Sequence, residues 1–359
     1  MEFLIQKIKG FRSKIKPKVT NVVCRYIKGL MLTKEHRNCS NIARYLHCSR
    51  DKIYEFLRLP QSALSSLSTI PLKLASELAK ENCWGYFIID DSSLAKIFSC
   101  VIAKVCYGFN SVLNRPINGI NIVVIAWTNG IITIPIAFKF WVNRKNAEEN
   151  YKTKPELAKE IINEICDKIS VNYFLLDGLY CSDHMMRFFD QKNIKFIMRF
   201  PRNRCIETHD GQRFQIQKHK HLKLKRNERN KTVHAEYKGK NYFFTIEKRK
   251  NKHGKYQTVF LVSNVKLASR EYIEIYKIRW KIEKCFRTIK QSLGADECQA
   301  QSANKQSAHI YATFISYAFA QLINGDKSNK PPEAIFDRLR WQKSHFPDEE
   351  LRVLIESFC

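Results

Sequence analysis

The chain has 359 residues, 44% of them hydrophobic, and carries 62 Lys and Arg against 34 Asp and Glu, a formal charge of +28. This much apolar mass supports one large core or two or three domains and excludes a disordered chain, and no run of about 18 apolar residues offers a bilayer span. So positive a field repels basic partners and favours polyanions. Nucleic acid comes first, because neutralising phosphates releases counterions, and a membrane surface is the alternative.

The opening "MEFLIQKIKGFRSKIKPK" is basic but has neither a continuous apolar stretch nor a small-residue cleavage site, so no signal peptide is expected. Residues 1–80 have helical spacing throughout. Within "CSNIARYLHCSRDKIYEFLRL", the apolar residues Ile42, Ala43 and Leu46 precede a short break, and Ser49 is an N-cap candidate ahead of Ile53, Phe56 and Leu57. This predicts helix, turn, helix over about 39–58. The second helix exposes Arg50, Lys52 and Arg58 to a DNA groove or its phosphates, and a plain helical hairpin fits the segment equally well. The 12 cysteines contain no C-x-x-C pair, so finger-type metal spacing is absent and buried thiols of a reducing compartment are expected.

From about residue 85 the pattern changes. "GYFIID" predicts a buried strand ending in acid, and "INIVVIAWTNGIITIPIAFKFWV" predicts a hairpin about Asn129-Gly130. "KPELAKEIINEICDKI" reads as helix, "VNYFLLD" as strand, "SDHMMRFFDQKN" as helix and "IKFIMRF" as strand. This order suits an α/β fold with a mixed sheet flanked by helices. Residues 201–265 differ, being basic and β-rich with Tyr237, Tyr242, Phe243, Phe244 and Tyr256 among lysines, and they read as an inserted subdomain. Those aromatics suit base stacking, while at least half are expected in the insertion's own core.

Three acids from distant segments stand out: Asp90, with Asp91 beside it, at the end of the first strand, Asp177 at the end of "VNYFLLD", and Glu283 on a late helix. An acid at the end of an apolar strand is costly unless compensated, and ligands gather at strand ends of open sheets. Carboxylates are hard ligands for Mg²⁺, with Mn²⁺ able to substitute. Two such ions about 3.5–4 Å apart serve phosphoryl transfer by activating the attacking oxygen and stabilising the leaving one. In "YKIRWKIEKCFRTIK", a helix advancing about 100° per residue gathers Tyr276, Arg279, Glu283 and Lys290 within an arc of roughly 60°. Ile275, Ile278, Ile282, Phe286, Ile289 and Leu293 form an apolar stripe. Glu283 is then a metal ligand, with Tyr276, Arg279 and Lys290 placed to hold phosphates.

Tyr276, Arg279, Glu283 and Lys290 match Y-x2-R-x3-E-x6-K at all four places, and the chain resembles the DDE transposases of bacterial insertion sequences, in particular the insertion-sequence-four family. The resemblance covers roughly residues 85–325. It implies a ribonuclease-H-like core with a β-rich insertion, a catalytic triad of Asp90, Asp177 and Glu283 holding two Mg²⁺ ions, and terminal DNA phosphates on Tyr276, Arg279 and Lys290. "DDS" from Asp90 fits the family's first acid with Ser92 in place of Thr. "DSS" from Asp91 fits almost as well, which leaves Asp91 as an alternative ligand or a partner of the site.

The expected organisation is a DNA-binding region over 1–80, a catalytic core over 81–200 and 266–325 interrupted by the insertion at 201–265, and a C-terminal tail over 326–359. The expected function is cut-and-paste transposition in the bacterial cytoplasm at the nucleoid: binding of terminal inverted repeats, cleavage, and joining of 3′-hydroxyl ends to target DNA. Double-stranded DNA is the partner, with a homodimer on DNA and no membrane. The alternatives are an inactive, element-derived DNA-binding protein and a metal-dependent structure-specific nuclease.

Overall fold

The computed structural model describes residues 17–82, 84–99, 101–110, 114–208, 211–218, 223–250, 254–324, 332–342 and 345–358. Helices come first: α1 (Pro17–Leu32), α2 (Cys39–Tyr45), α3 (Arg50–Leu57), α4 (Gln61–Ser66) and α5 (Thr69–Asn82). Next come β1 (Tyr86–Ala95), β2 (Cys106–Asn110), β3 (Arg115–Thr128), β4 (Thr133–Trp141), α6 (Lys154–Ile165), β5 (Tyr173–Leu176), α7 (Asp183–Gln191) and β6 (Phe196–Arg199). The strands β7 (Cys205–Glu207), β8 (Arg213–Gln215), β9 (Asn230–Tyr237), β10 (Lys240–Lys250) and β11 (Tyr256–Ser263) follow. The chain closes with α8 (Ser269–Lys277), α9 (Trp280–Gln291), α10 (Ala303–Asn324), α11 (Pro332–Trp341) and α12 (Asp348–Phe358).

Among the described residues eleven strands join one sheet in the order β2-β3-β1-β5-β6-β11-β10-β9-β7-β8, with β4 on β3. β1 pairs parallel with β5, and β5 parallel with β6, while β1, β3 and β4 pair antiparallel. This is a mixed sheet flanked by helices, compatible with a ribonuclease-H-like fold. The expected hairpin is present: Thr128 pairs with Thr133, Gly130 takes φ +87°, and the Asn129 side-chain oxygen accepts from the amides of Ile131 (3.0 Å) and Ile132 (2.8 Å). The near-unbroken apolar run of β3 is explained by cover on both faces. On one face Phe138, in register with Val124 and Asp90, packs against Tyr311 and Phe314 of α10. On the other, Lys139 pairs with Glu160 and Glu164 of α6.

Four expectations need correction. β1 does not end at the acids but runs on to Ala95, because β3 continues beside it as far as Gly119, whereas the parallel partner β5 stops at Leu176 opposite Ile89. The β-rich insertion is not a separate sheet, since β11 pairs antiparallel with β6 (Val262 opposite Met198) and carries the central sheet onward. Of its aromatics Tyr237, Tyr242 and Phe244 are buried, while Tyr256 is exposed. The segment expected as a C-terminal tail holds α11 and α12 with buried Phe336, Leu351 and Ile355. Arg340 of α11 donates to the carbonyls of Met31, Thr33 and Ser292, tying α11 to the N-terminal helices. Last, the helix expected over 276–290 is two helices, α8 and α9, described below.

The N-terminal helices share the core of the sheet. Tyr26 of α1 stacks on Phe56 of α3 with ring centroids 3.9 Å apart. Its hydroxyl meets His309 Nδ1 at 2.9 Å, and His309 Nε2 lies 2.9 Å from the carbonyl of Gly294, just past α9. A carbonyl only accepts, so Nε2 carries the proton and Nδ1 accepts from Tyr26. Burial pushes the His309 pKa down to about 4. Among the described residues no helix is long and apolar enough to cross a membrane.

Candidate active site

Because Ile89 pairs in parallel with Leu176, Asp90 and Asp177 are the next residues along two neighbouring chains, and adjacent strands lie about 4.8 Å apart. β5 ends there and the chain turns away, with Tyr180 N donating to Asp177 O at 3.1 Å. The parallel pairing of β1 with β5 thus brings two acids 87 positions apart in sequence to one place.

Strand alternation sends the two acids of β1 to opposite faces. Asp90 points to the face covered by α9 and accepts from Arg279 Nη1 at 2.8 Å. Asp91 points to the face of α6, where Lys154 Nζ lies 2.5 Å away and the Tyr180 hydroxyl 3.4 Å away. Neither Lys154 nor Tyr180 stood out in the sequence, though Tyr180 lies only three residues past Asp177. Burial pushes the Asp90 carboxyl up to about 7, opposed by the Arg279 guanidinium and reinforced by the charges of Asp91 and Asp177.

α8 and α9 are joined at Ile278 and Arg279 by tight i→i−3 bonds, Ile278 N to Ile275 O and Arg279 N to Tyr276 O, both 3.1 Å. In a 3₁₀ turn residues three apart eclipse, so the break keeps Arg279 over Tyr276, their guanidinium carbon and ring centroid 5.8 Å apart. The stripe therefore survives the interruption, and the apolar stripe is buried from Ile282 to Leu293, with Ile275 and Ile278 only partly covered. Arg279 Nη2 donates to Glu283 Oε1 at 2.5 Å, so one guanidinium joins Asp90 and Glu283. Only 7% of Arg279 is exposed, and its Nε has no partner among the described residues.

Tyr276 is buried, its hydroxyl donating to Leu176 O at 3.2 Å, next to Asp177, instead of facing a surface. Lys290 lies two turns beyond Glu283, about 10 Å along the axis. It makes no hydrogen bond or ion pair among the described residues, and burial lowers its pKa against the pull of Asp296. Arg50 and Lys52 lie exposed on α3 and Arg58 exposed just past its C-terminal end, with Arg50 and Arg58 near the Tyr54 ring.

A second feature was not legible in the sequence. A groove of about 730 Å³ runs between β10, β11 and α8, lined by Arg229, Lys248, Arg249, Lys250, Tyr256, Arg270 and Lys277 among others. Arg249 and Lys277 pair with Glu247 and Glu274. Arg229, Lys248, Lys250 and Arg270 have no ion pair among the described residues, and Lys248 and Lys250 sit 5.0 and 5.6 Å from the Tyr256 ring.

Among the described residues no three acid, histidine or cysteine side chains stand together as a ready-made metal cage. The donor set nevertheless suits a hard divalent cation. It comprises two carboxylates at neighbouring strand positions and a third reached through one arginine, all hard oxygen donors. No curated protein shows significant similarity to the chain. A family model described as "Transposase DDE domain" matches residues 138–319, from within β4, after Asp90, through Asp177 and Glu283 into α10. That is just over half of the chain, and it includes Asp177 and Glu283 though not β1 with Asp90: the chain belongs to the transposase DDE domain family.

Proposed function

We propose that the protein is the transposase of an insertion sequence of the insertion-sequence-four type. It binds the terminal inverted repeats of its element as a dimer, cleaves the ends and joins the 3′-hydroxyls to target DNA, working on nucleoid DNA in the cytoplasm. The observation that carries this reading is the placement of Asp90 and Asp177 side by side, each following the last residue of the parallel β1–β5 pairing, with Glu283 brought to Asp90 by Arg279.

Asp90, Asp177 and Glu283 would hold two Mg²⁺ ions, which Mn²⁺ can replace, and these would neutralise the phosphate and lower the pKa of the attacking water or hydroxyl. The remaining work falls to the chain. Arg279 and Lys290, on one side of the signature segment, hold the phosphate oxygens and orient the scissile bond, so that catalysis rests on positioning and charge neutralisation. Tyr276 holds the Leu176 carbonyl and so fixes the strand end from which Asp177 projects. Lys154 compensates Asp91 on the far face and leaves Asp90 to the reaction. The four cations of the β10–α8 groove without an ion pair, Arg50 and Lys52 of α3, and Arg58 just past it contact the DNA backbone away from the reacting phosphate.

The test is Mg²⁺-dependent cleavage and joining of a DNA fragment carrying the sequences that flank the gene. Wild type should cleave and join, and Glu283→Ala should bind the same DNA without doing either. Cleavage that needs no element end would make the protein a nuclease, and binding without chemistry in the wild type would make it a DNA-binding protein.

A further inference from the structure

We infer that Arg279 is a built-in counter-cation of the acid site, which a DNA phosphate must draw off before a divalent ion takes its place, so that metal loading and DNA binding are coupled. The inference rests on the transposase reading above and concerns the order in which its site assembles. Asp90 and Glu283 each give a carboxylate oxygen to the same guanidinium, at 2.8 and 2.5 Å. A protein cation already neutralises the charges that the metal would neutralise. Any ion entering must therefore compete with two charge-assisted hydrogen bonds from a buried guanidinium.

The geometry also supplies the release. Arg279 is buried, yet it lies on the 3₁₀ turn between α8 and α9, where the backbone is held by i→i−3 bonds and not by a continuous α-helical ladder. Its guanidinium carbon is 5.6 Å from the ring of Trp280, which is 47% exposed, so the head group lies against a side chain that borders solvent. A phosphate matches the planar guanidinium fork as well as a carboxylate does. Once phosphate takes Arg279, Asp90 and Glu283 are left with unbalanced negative charge. By reciprocity, DNA then raises metal affinity by the factor by which metal raises DNA affinity.

Calorimetric titration of Mn²⁺ into the full chain tests this, without DNA and with a duplex from the flank of the gene, for wild type, Arg279→Gln and Arg279→Lys. Without DNA, Arg279→Gln should bind Mn²⁺ at least about tenfold more tightly than wild type. The duplex should raise wild-type affinity by a similar factor and leave the Gln variant nearly unchanged. Arg279→Lys, a point charge that cannot bridge both acids, should fall between the two. It decides the matter if the Gln variant does not fold, and affinity no tighter than wild type then overturns the inference. So does a folded Gln variant that binds no more tightly than wild type, or a wild-type affinity indifferent to DNA. Glu283→Gln separates the two layers of the account: Mn²⁺ binding that survives it removes the proposed metal site altogether, whereas binding lost with Glu283 but unaffected at Arg279 overturns only the coupling.

Discussion

Replacing Asp90 with Asn should stabilise the metal-free protein by an amount that grows with pH. Asp90 has a pKa of about 7 in the folded protein, raised first by burial, against about 3.9 in an unfolded chain. Between those values the native state binds more protons than the unfolded state, so stability falls as pH rises through the window and levels off above about pH 7. From pH 5 to pH 8 the wild type crosses about two units of it, a loss of about 3 kcal/mol at 1.36 kcal/mol per unit. Asn does not ionise and escapes that loss. The pull of Arg279 on the ionised carboxylate is already contained in that pKa, so it is not subtracted a second time. The advantage of the variant must therefore increase by up to about 3 kcal/mol between pH 5 and pH 8. Urea unfolding with EDTA at both pH values measures it; at a slope of about 3 kcal/mol per molar, the relative midpoint should move by up to about 1 M. An advantage of Asn that is equal at both pH values, or that shrinks with pH, would refute the account of Asp90 as an acid kept from ionising by its surroundings.

Substituting Lys248, Lys250 and Arg270 together with Gln should weaken DNA binding and flatten its salt dependence by up to about 0.9 for each phosphate that is no longer neutralised; fluorescence anisotropy from about 50 to 300 mM salt checks this, and an unchanged slope excludes the groove as a surface for the DNA backbone. His309→Ala should cost about 2–4 kcal/mol in chemical unfolding, since it leaves the Tyr26 hydroxyl and the Gly294 carbonyl buried without partners. His309 also sets the acid side of the stability profile. With its pKa depressed to about 4 by burial, its contribution is present above about pH 6.5 and is lost as pH falls toward 4, a dependence that His309→Gln should remove. Gly294→Ala should destabilise by more than about 1 kcal/mol in the same assay, because Gly294 takes φ +65° and an added Cβ would lie 2.7 Å from Glu297 Oε2 and 2.8 Å from Arg37 Cδ.

Much of the candidate site's local arrangement could be read from spacing, for a physical reason. Tyr276, Arg279, Glu283 and Lys290 sit close in sequence, where helical periodicity fixes which side chains share a side, and the 3₁₀ break preserved that alignment. The Arg279–Glu283 pair, four residues apart, follows from the same periodicity. The Arg279–Asp90 pair does not, because its partners are 189 residues apart and meet only through the sheet. Polar Ser92 and Ser93 concealed that β1 continues past the acids, since the strand is sustained by β3 and not by its own apolar content. The break at Ile278–Arg279 carries no proline or glycine to announce it. The basic texture of 201–265 revealed strands but not that β11 would pair with β6, because register between distant segments leaves no local mark.

The measurement that bears most directly on the central claim is single-turnover cleavage of an end-bearing duplex in Mg²⁺, compared across Asp90→Asn, Asp91→Asn, Asp177→Asn and Glu283→Gln. Asp90→Asn, Asp177→Asn and Glu283→Gln should each lose at least about 10²–10³ in rate while still binding the duplex, and Asp91→Asn, which disturbs only the Lys154 and Tyr180 contacts on the other face, should keep a measurable rate. Cleavage abolished in Asp91→Asn and retained in Asp90→Asn would contradict that claim.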